Sequence, residues 1–380
     1  MVDLSGCYLH TLGKSETALL ADFRSRIPRI VAHAKEQSED FAAKAETTLW
    51  GVNIESESEA CTVVLLKYIR AEELDLDKSE QRLVDTLVWR ADCHIDELCD
   101  LEELPEEFQG HDFIQGTDND GRPIMISRFG GMDLEKVFGD VEAFVRYRVY
   151  YMERCVRQLA FAKGAPEDLC QVHDYSGVPL MFPDSVKISV KAISKVFADH
   201  YPEMKGVTAF VNFPSVFAKL FQSFAMFLPE RTRKKFQILG TNDHAKVFEI
   251  IPPQWVPDCI GGMLQSPPGR LAGACQTVVV SARDAVDVDA FSLDTAAEIV
   301  WEVRVCVYEV AYKVLFVSTS GEEQVCAESP MGEPLLATDN VASGRWTAPG
   351  AGLIKVRFHN EAAWFKTRLC ICRAGLAQDA

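Results

Sequence analysis

Between Phe113 and Gly240 four short strand-like runs alternate with longer stretches of helical periodicity: Pro123 to Arg128, Leu169 to His173, Val207 to Asn212, and Phe236 to Leu239. Strands separated by helices are joined by crossovers, and crossovers bring the chain back parallel to itself. The middle of the chain is therefore predicted to be an α/β domain with a mostly parallel sheet covered by helices. Ahead of it, apolar residues recur at helical spacing (Val64, Leu65, Tyr68, Ile69, then Leu83, Leu87, Val88) on either side of Leu74-Asp75-Leu76-Asp77, which predicts a small helical hairpin. After Pro252-Pro253 and Gly261-Gly262, the stretch Ser266-Pro267-Pro268-Gly269 breaks the pattern. Beyond it, Gln276 to Ser281, Glu298 to Val307, Ala311 to Val317, Leu353 to Phe358 and Trp364 to Cys372 are β-branched and alternating, as in an all-β sandwich. The expected order is a helical extension over residues 1–55, a helical region over 56–104, the α/β domain over 105–264, a linker over 265–274 and the sandwich over 275–376.

With 380 residues and 48% apolar side chains, the chain has material for more than one core. A net charge of −17 argues against nucleic acid as a partner, because phosphate binding needs an excess of Lys and Arg, and it restricts any membrane contact to a local, transient patch. Twelve cysteines without paired spacing, and no Asn-x-Ser/Thr sequon, favour a reducing, cytoplasmic compartment. The start, Met1-Val2-Asp3-Leu4-Ser5-Gly6, lacks a signal-peptide pattern, and nowhere do about eighteen apolar residues run on as a membrane span requires.

No catalytic motif emerges. There is no Gly-x-Ser-x-Gly elbow, no phosphate loop and no Gly-x-Gly-x-x-Gly. His173 and Asp174 are neighbours on an expected strand, so they point to opposite faces and are read as structural rather than as parts of a triad. Asp118-Asn119-Asp120-Gly121 reads as a turn, since a calcium loop framed on Gly121 would need carboxylates at Gly116 and Ser127. Cys93-His94 with Cys99 lacks a fourth zinc ligand, and Cys370 and Cys372 share one strand face as core thiols. No metal, cofactor or catalytic residue is assigned.

From Leu65 to Gly262 a series of short motifs follows in order: Leu65-Leu66-Lys67-Tyr68-Ile69-Arg70-Ala71, Thr117-Asp118-Asn119-Asp120-Gly121-Arg122-Pro123, Asp174-Tyr175-Ser176-Gly177, Tyr201-Pro202-Glu203 with Val211-Asn212-Phe213-Pro214, Phe227 to Lys235, Ile238-Leu239-Gly240, and Val256-Pro257 with Gly261-Gly262. In this order they resemble the CRAL-TRIO lipid-binding family. The tail, with Leu353 to Asn360 followed by Trp364-Phe365, resembles a GOLD domain, so the whole is similar to the supernatant protein factor and patellin group.

The resemblance implies a carrier that encloses one hydrophobic ligand, for which a diacyl lipid is a natural fit. Leaving roughly thirty methylenes in water would cost on the order of 25 kcal/mol. It places the segment from Ser215 to Leu228 as a gating helix, with Phe217, Leu220, Phe221, Phe224, Phe227 and Leu228 facing cavity or bilayer. From the residues alone these read first as ordinary core, and it is the resemblance that makes them a gate. It also matches Glu203, Thr232, Lys235 and Asp118 to the contacts made with phosphatidylinositol in the family's phosphoinositide branch, although the cations near 231–235 would also complement a helix C-terminus. Glu72 stands where that branch has an arginine, and an acid there would repel a phosphate it faced. A phosphatidylinositol-like lipid is thus the expected ligand. The alternatives are a tocopherol or isoprenoid carrier, and a membrane-trafficking adaptor with protein partners at the GOLD domain.

Overall fold

The computed structural model describes residues 12–100, 104–215, 233, 235–240, 243–264, 271, 274–330, 333–339 and 341–377. They divide into two compact units, residues 1–240 and residues 241–380.

The first unit opens with α1 (Lys14–Gln37), where the Glu16 carboxylate accepts the otherwise unpaired N–H of Gly13 at 2.9 Å. Its buried residues, Leu20, Phe23, Ile27, Ile30, Val31 and Ala34, fall three or four apart on one stripe. After α2 (Glu39–Ala42) and the short hairpin of β1 (Thr48–Leu49) and β2 (Val52–Asn53) come α3 (Glu59–Ala71) and α4 (Leu76–Asp92), capped by Ser58 and Asp75. These two are the expected helical hairpin. The stripe of α1 packs on α4, and Arg29 Nε donates to Glu80 of α4 at 2.7 Å, so the N-terminal extension belongs to the core of this unit.

The sheet contains β3 (Asp112–Thr117), β4 (Pro123–Arg128), β5 (Leu169–Asp174), β6 (Lys205–Val211) and β7 (Phe236–Ile238), lying side by side in chain order. β4 to β7 are parallel, as expected. β3, which the sequence pattern did not single out, pairs antiparallel with β4 through a turn at Gly121, whose φ of +85° suits glycine. The crossovers are α5 (Leu134–Gly139) and α6 (Val141–Val156) between β4 and β5, and α7 (Asp184–His200) between β5 and β6. Parallel register aligns Ser127, His173 and Phe210 on one face, and Ile126, Val172 and Ala209, all fully buried, on the other.

The second unit begins with α8 (His244–Ile250) and contains two antiparallel sheets. One runs β14 (Ala342–Ala348), β10 (Ala297–Val305), β16 (Arg368–Leu376), β8 (Gln276–Val280). The other runs β12 (Glu323–Glu328), β11 (Glu309–Ser318), β15 (Gly352–His359), β9 (Ala285–Leu293), with the two-residue β13 (Leu335–Leu336) on β11. Alternate residues such as Val303, Val305, Ile354, Val356, Phe358, Cys370 and Cys372 fill the space between the sheets.

Two findings differ from expectation. The strand expected to start at Trp364 starts at Arg368, leaving Trp364 and Phe365 on an exposed loop. The units divide at Gly240/Thr241, ahead of the composition break at 265–274, because Met263 buries itself against Cys306, Val341 and Ile371 and the Gly262 carbonyl accepts from Arg304 at 3.1 Å. Contacts, which composition does not record, set this division.

Candidate functional site

The N-terminal ends of the parallel strands gather a compact set of charges. Arg122, fully buried, donates from Nε to Asp168 at 2.7 Å and from one terminal nitrogen to Asp118 and Asp120, each at 2.8 Å. Gly206 on β6 makes room for this, since a Cβ there would collide with the Asp168 carboxylate and lie 2.8 Å from Arg122 Nε. Beside it, Lys235 Nζ stands 3.2 Å from Glu203 Oε2, both side chains about one-sixth exposed at 17% and 16%. Lys67, buried on α3, donates to the Glu203 carbonyl at 2.9 Å. The backbone fixes both partners: Glu203 holds a left-handed φ of +52°, and the Lys235 carbonyl accepts the Thr208 N–H at 2.8 Å at the start of β7. Burial pushes the Asp168 carboxyl up, and Lys67, Arg122 and Lys235 oppose that shift. Three cations (Lys67, Arg122, Lys235) meet four carboxylates (Asp118, Asp120, Asp168, Glu203) here, so a phosphate would meet Lys235 in competition with Glu203 rather than a bare positive pocket.

Two of the four headgroup residues expected from the sequence, Glu203 and Lys235, are thus brought into contact. Asp118 is nearby, but its oxygens already accept from the N–H groups of Asp120 and Arg122 and from the Arg122 side chain, so it holds the turn. Thr232 lies outside the described residues, as do Phe217, Leu220, Phe221, Phe224, Phe227 and Leu228. Glu72 does not join the cluster, because its carboxylate accepts from Arg82 at 2.6 Å at the end of α3. Lys67, Arg122 and Asp168 were not selected from the sequence. Lys67 and Arg122 sit inside the quoted motifs, but only the fold carries them to Glu203 and Asp168.

Toward the C-terminal ends of β4, β5 and β6, and reaching Phe236 at the start of β7, the surface is aromatic. The rings of Phe129 and His173 are 5.6 Å apart, those of His173 and Phe210 5.3 Å, those of Phe210 and Phe236 5.8 Å, and those of Tyr175 and Phe213 4.7 Å. All six are half-buried. Burial, reinforced by Arg148 and Lys205, brings His173 down to about 3, and burial pushes the Tyr175 hydroxyl up to about 12, so both are neutral near pH 7. His173 Nδ1 is buried with no hydrogen-bond partner among the described residues. Beneath them Asp112 binds Arg148, Tyr147 and Ser127 in a buried network. Asp174 faces the other way and binds Ser176 and Asn212, so His173, Asp174 and Ser176 form no triad. An uncharged aromatic bed at one end and a half-buried ion pair at the other suit a ligand with an apolar body and a polar head.

Comparison with known proteins bears on the fold. Residues 107–262 match the family model of the CRAL/TRIO domain. The chain therefore carries a CRAL/TRIO domain with an α/β, mostly parallel sheet, followed by an antiparallel β region consistent with a GOLD-like domain. Among curated proteins it is similar to Patellin-6 of Arabidopsis thaliana, 25% identical over 91% of this chain and 86% of that one. It is also similar to the phosphatidylinositol transfer protein sfh5 of Aspergillus clavatus, 28% identical over 73% of this chain and 64% of that one. It spans only 44% to 66% of five further patellins of the same plant. Among solved structures, the crystal structure of Sfh5 superposes with a TM-score of 0.55 at 25% identity, covering 64% of this chain and 85% of Sfh5. The fungal relative is by name a phosphatidylinositol transfer protein. Among the described residues no helix is long and apolar enough to cross a membrane, and no three His, Cys, Asp or Glu side chains cluster as metal ligands.

Proposed function

We propose that the protein is a cytoplasmic carrier, without chemistry of its own, that encloses one phosphatidylinositol-like lipid and exchanges it at membranes. The observation that carries this reading is the Lys235–Glu203 pair, half-buried beside Lys67 at the strand starts, with the neutral aromatic bed of Phe129, His173 and Phe210 farther along the same strands. Lys235 supplies a point charge for a phosphate, and Glu203 supplies an acceptor for inositol hydroxyls. The name of the fungal relative, a phosphatidylinositol transfer protein, supports the choice of headgroup. The gate is assigned by resemblance to Phe217, Leu220, Phe221, Phe224, Phe227 and Leu228. Exchanging cavity contacts for acyl-chain contacts keeps opening cheap at a membrane and costly in water. Leu180 and Met181, exposed after β5, support a bilayer encounter on this unit.

A second reading has its own observation. The unpartnered, neutral His173 Nδ1 in the aromatic bed would suit the hydroxyl of a tocopherol or isoprenoid ligand, and such a ligand would ignore Lys235. Mass spectrometry of lipid extracted from the natively purified protein decides between them. Phosphatidylinositol is the expected species, and a single uncharged isoprenoid in its place overturns the headgroup assignment.

A further inference from the structure

We infer that the loop joining β15 to β16 is a membrane-inserting tip that seats Trp364 and Phe365 at the headgroup–acyl boundary of a bilayer, with Arg283 and Lys366 at the level of the lipid phosphates. The two rings are adjacent in sequence and stand 68% and 91% exposed. Strand alternation would have buried one of them, but β16 begins only at Arg368, so both face water. Keeping two large rings exposed is unfavourable, and isolated scattered apolar residues do not resemble this pairing.

The loop is built rather than slack. Asn360, buried, donates from its side-chain amide to the carbonyls of Val280 at 3.1 Å, Ser281 at 2.9 Å and Lys366 at 2.9 Å. Its backbone N–H donates to Asp284 at 2.9 Å, and its carbonyl accepts from Arg283 at 3.0 Å and Ala363 at 3.2 Å. One side chain thereby ties the β8–β9 turn to the β15–β16 loop and presents both as one tip. The Arg283 guanidinium lies 3.9 Å from the Trp364 ring centre, and Lys366 Nζ lies 4.1 Å from that of Tyr308, itself 44% exposed.

The chemistry favours a bilayer over a protein. Two rings offer far less than the roughly 800 Å² per partner of a stable protein interface. Tryptophan, tyrosine and long cations at one level are what a membrane–water interface selects, because the rings span the polar boundary and the cations reach the phosphates. In a chain of net charge −17, the exposed Arg283 and Lys366 offset the neighbouring Asp284 and Glu361, so this tip approaches an anionic surface without the repulsion felt elsewhere. The inference deepens the carrier reading and rests on it only in that a carrier must meet a membrane to load.

The test is co-sedimentation of the full chain with phosphatidylcholine vesicles with and without phosphatidylserine. Trp364→Ala with Phe365→Ala should weaken vesicle binding by at least about tenfold while the thermal melt is unchanged, since both residues are exposed. Trp364→Phe should retain most of the binding yet lose much of the tryptophan quenching that brominated acyl chains cause in the parent. Arg283→Glu with Lys366→Glu should reduce binding to phosphatidylserine vesicles more than to pure phosphatidylcholine. A double alanine variant that binds like the parent, a parent that binds neither vesicle, or quenching that survives Trp364→Phe would each overturn the proposal. Lipid extracted from each variant separates the two readings: parent protein that sediments through the tip but carries no lipid sinks the carrier and leaves the tip standing.

Discussion

Replacing Lys235 by Ala tests the headgroup assignment most directly. At 3.2 Å and an effective dielectric constant near 20, the Lys235–Glu203 attraction is about 5 kcal/mol before desolvation is charged against it. A charge-assisted hydrogen bond nets about 1.5 to 3 kcal/mol, so transferring Lys235 from Glu203 to a lipid phosphate and then deleting it should weaken phosphatidylinositol roughly tenfold to more than a hundredfold. The fold should tolerate the change, because the contact that registers β7 on β6 runs through the Lys235 carbonyl, which alanine keeps. Vesicle-to-vesicle transfer of labelled phosphatidylinositol, run beside phosphatidylcholine and tocopherol, is the assay. Glu72→Arg is a useful companion. Sequence resemblance alone would have it restore a phosphate ligand, but Glu72 is occupied by Arg82, so the variant should set two arginines together, lower stability by about 1 kcal/mol and leave phosphatidylinositol affinity alone. Equal loss of all ligands in the Lys235 variant, or no change for phosphatidylinositol, would refute the reasoning.

Arg122→Met should destabilise the protein by about 3 to 5 kcal/mol in urea titrations, because it strands the buried Asp118 and Asp168; a loss under 1 kcal/mol would mean those carboxylates are satisfied elsewhere. His173 accepts a proton near pH 6.5 when unfolded but only near 3 when folded, so stability should fall as pH drops through that window, by up to a few kcal/mol. His173→Phe should flatten that part of the pH profile, and an unchanged slope would show that other groups carry it. Phe221→Asp with Phe224→Asp should abolish vesicle-dependent loading in a variant whose circular dichroism is native, if the proposed gate is correct. A chain of residues 1–272 should bind a hydrophobic dye more strongly than the full chain, since it strips Met263 of Cys306, Val341 and Ile371.

Periodicity and motif order carried the fold class. The four parallel strands, the α3–α4 hairpin and the β-rich tail were legible because each depends on local spacing of apolar residues, which the covalent order records directly. Core thiols at Cys370 and Cys372 were legible for the same reason. Strand β3 escaped because its run, Asp112 to Thr117, contains Gly116 and acquires its partner only through the turn at Gly121. The site was half legible. Glu203 and Lys235 stood out by resemblance, but that they touch, that Lys67 joins them and that Glu72 turns away to Arg82 depend on where α3 and β7 come to rest. The aromatic bed was invisible for a related reason: Phe129, His173, Phe210 and Phe236 belong to separate segments, and only parallel register brings their rings within 6 Å. Asn360 likewise reads as one polar residue in a loop until folding carries Val280, Ser281 and Lys366 to its amide. Local pattern thus determined which elements form, while the pairing of residues remote in sequence, which no local period encodes, was decided by the tertiary structure alone.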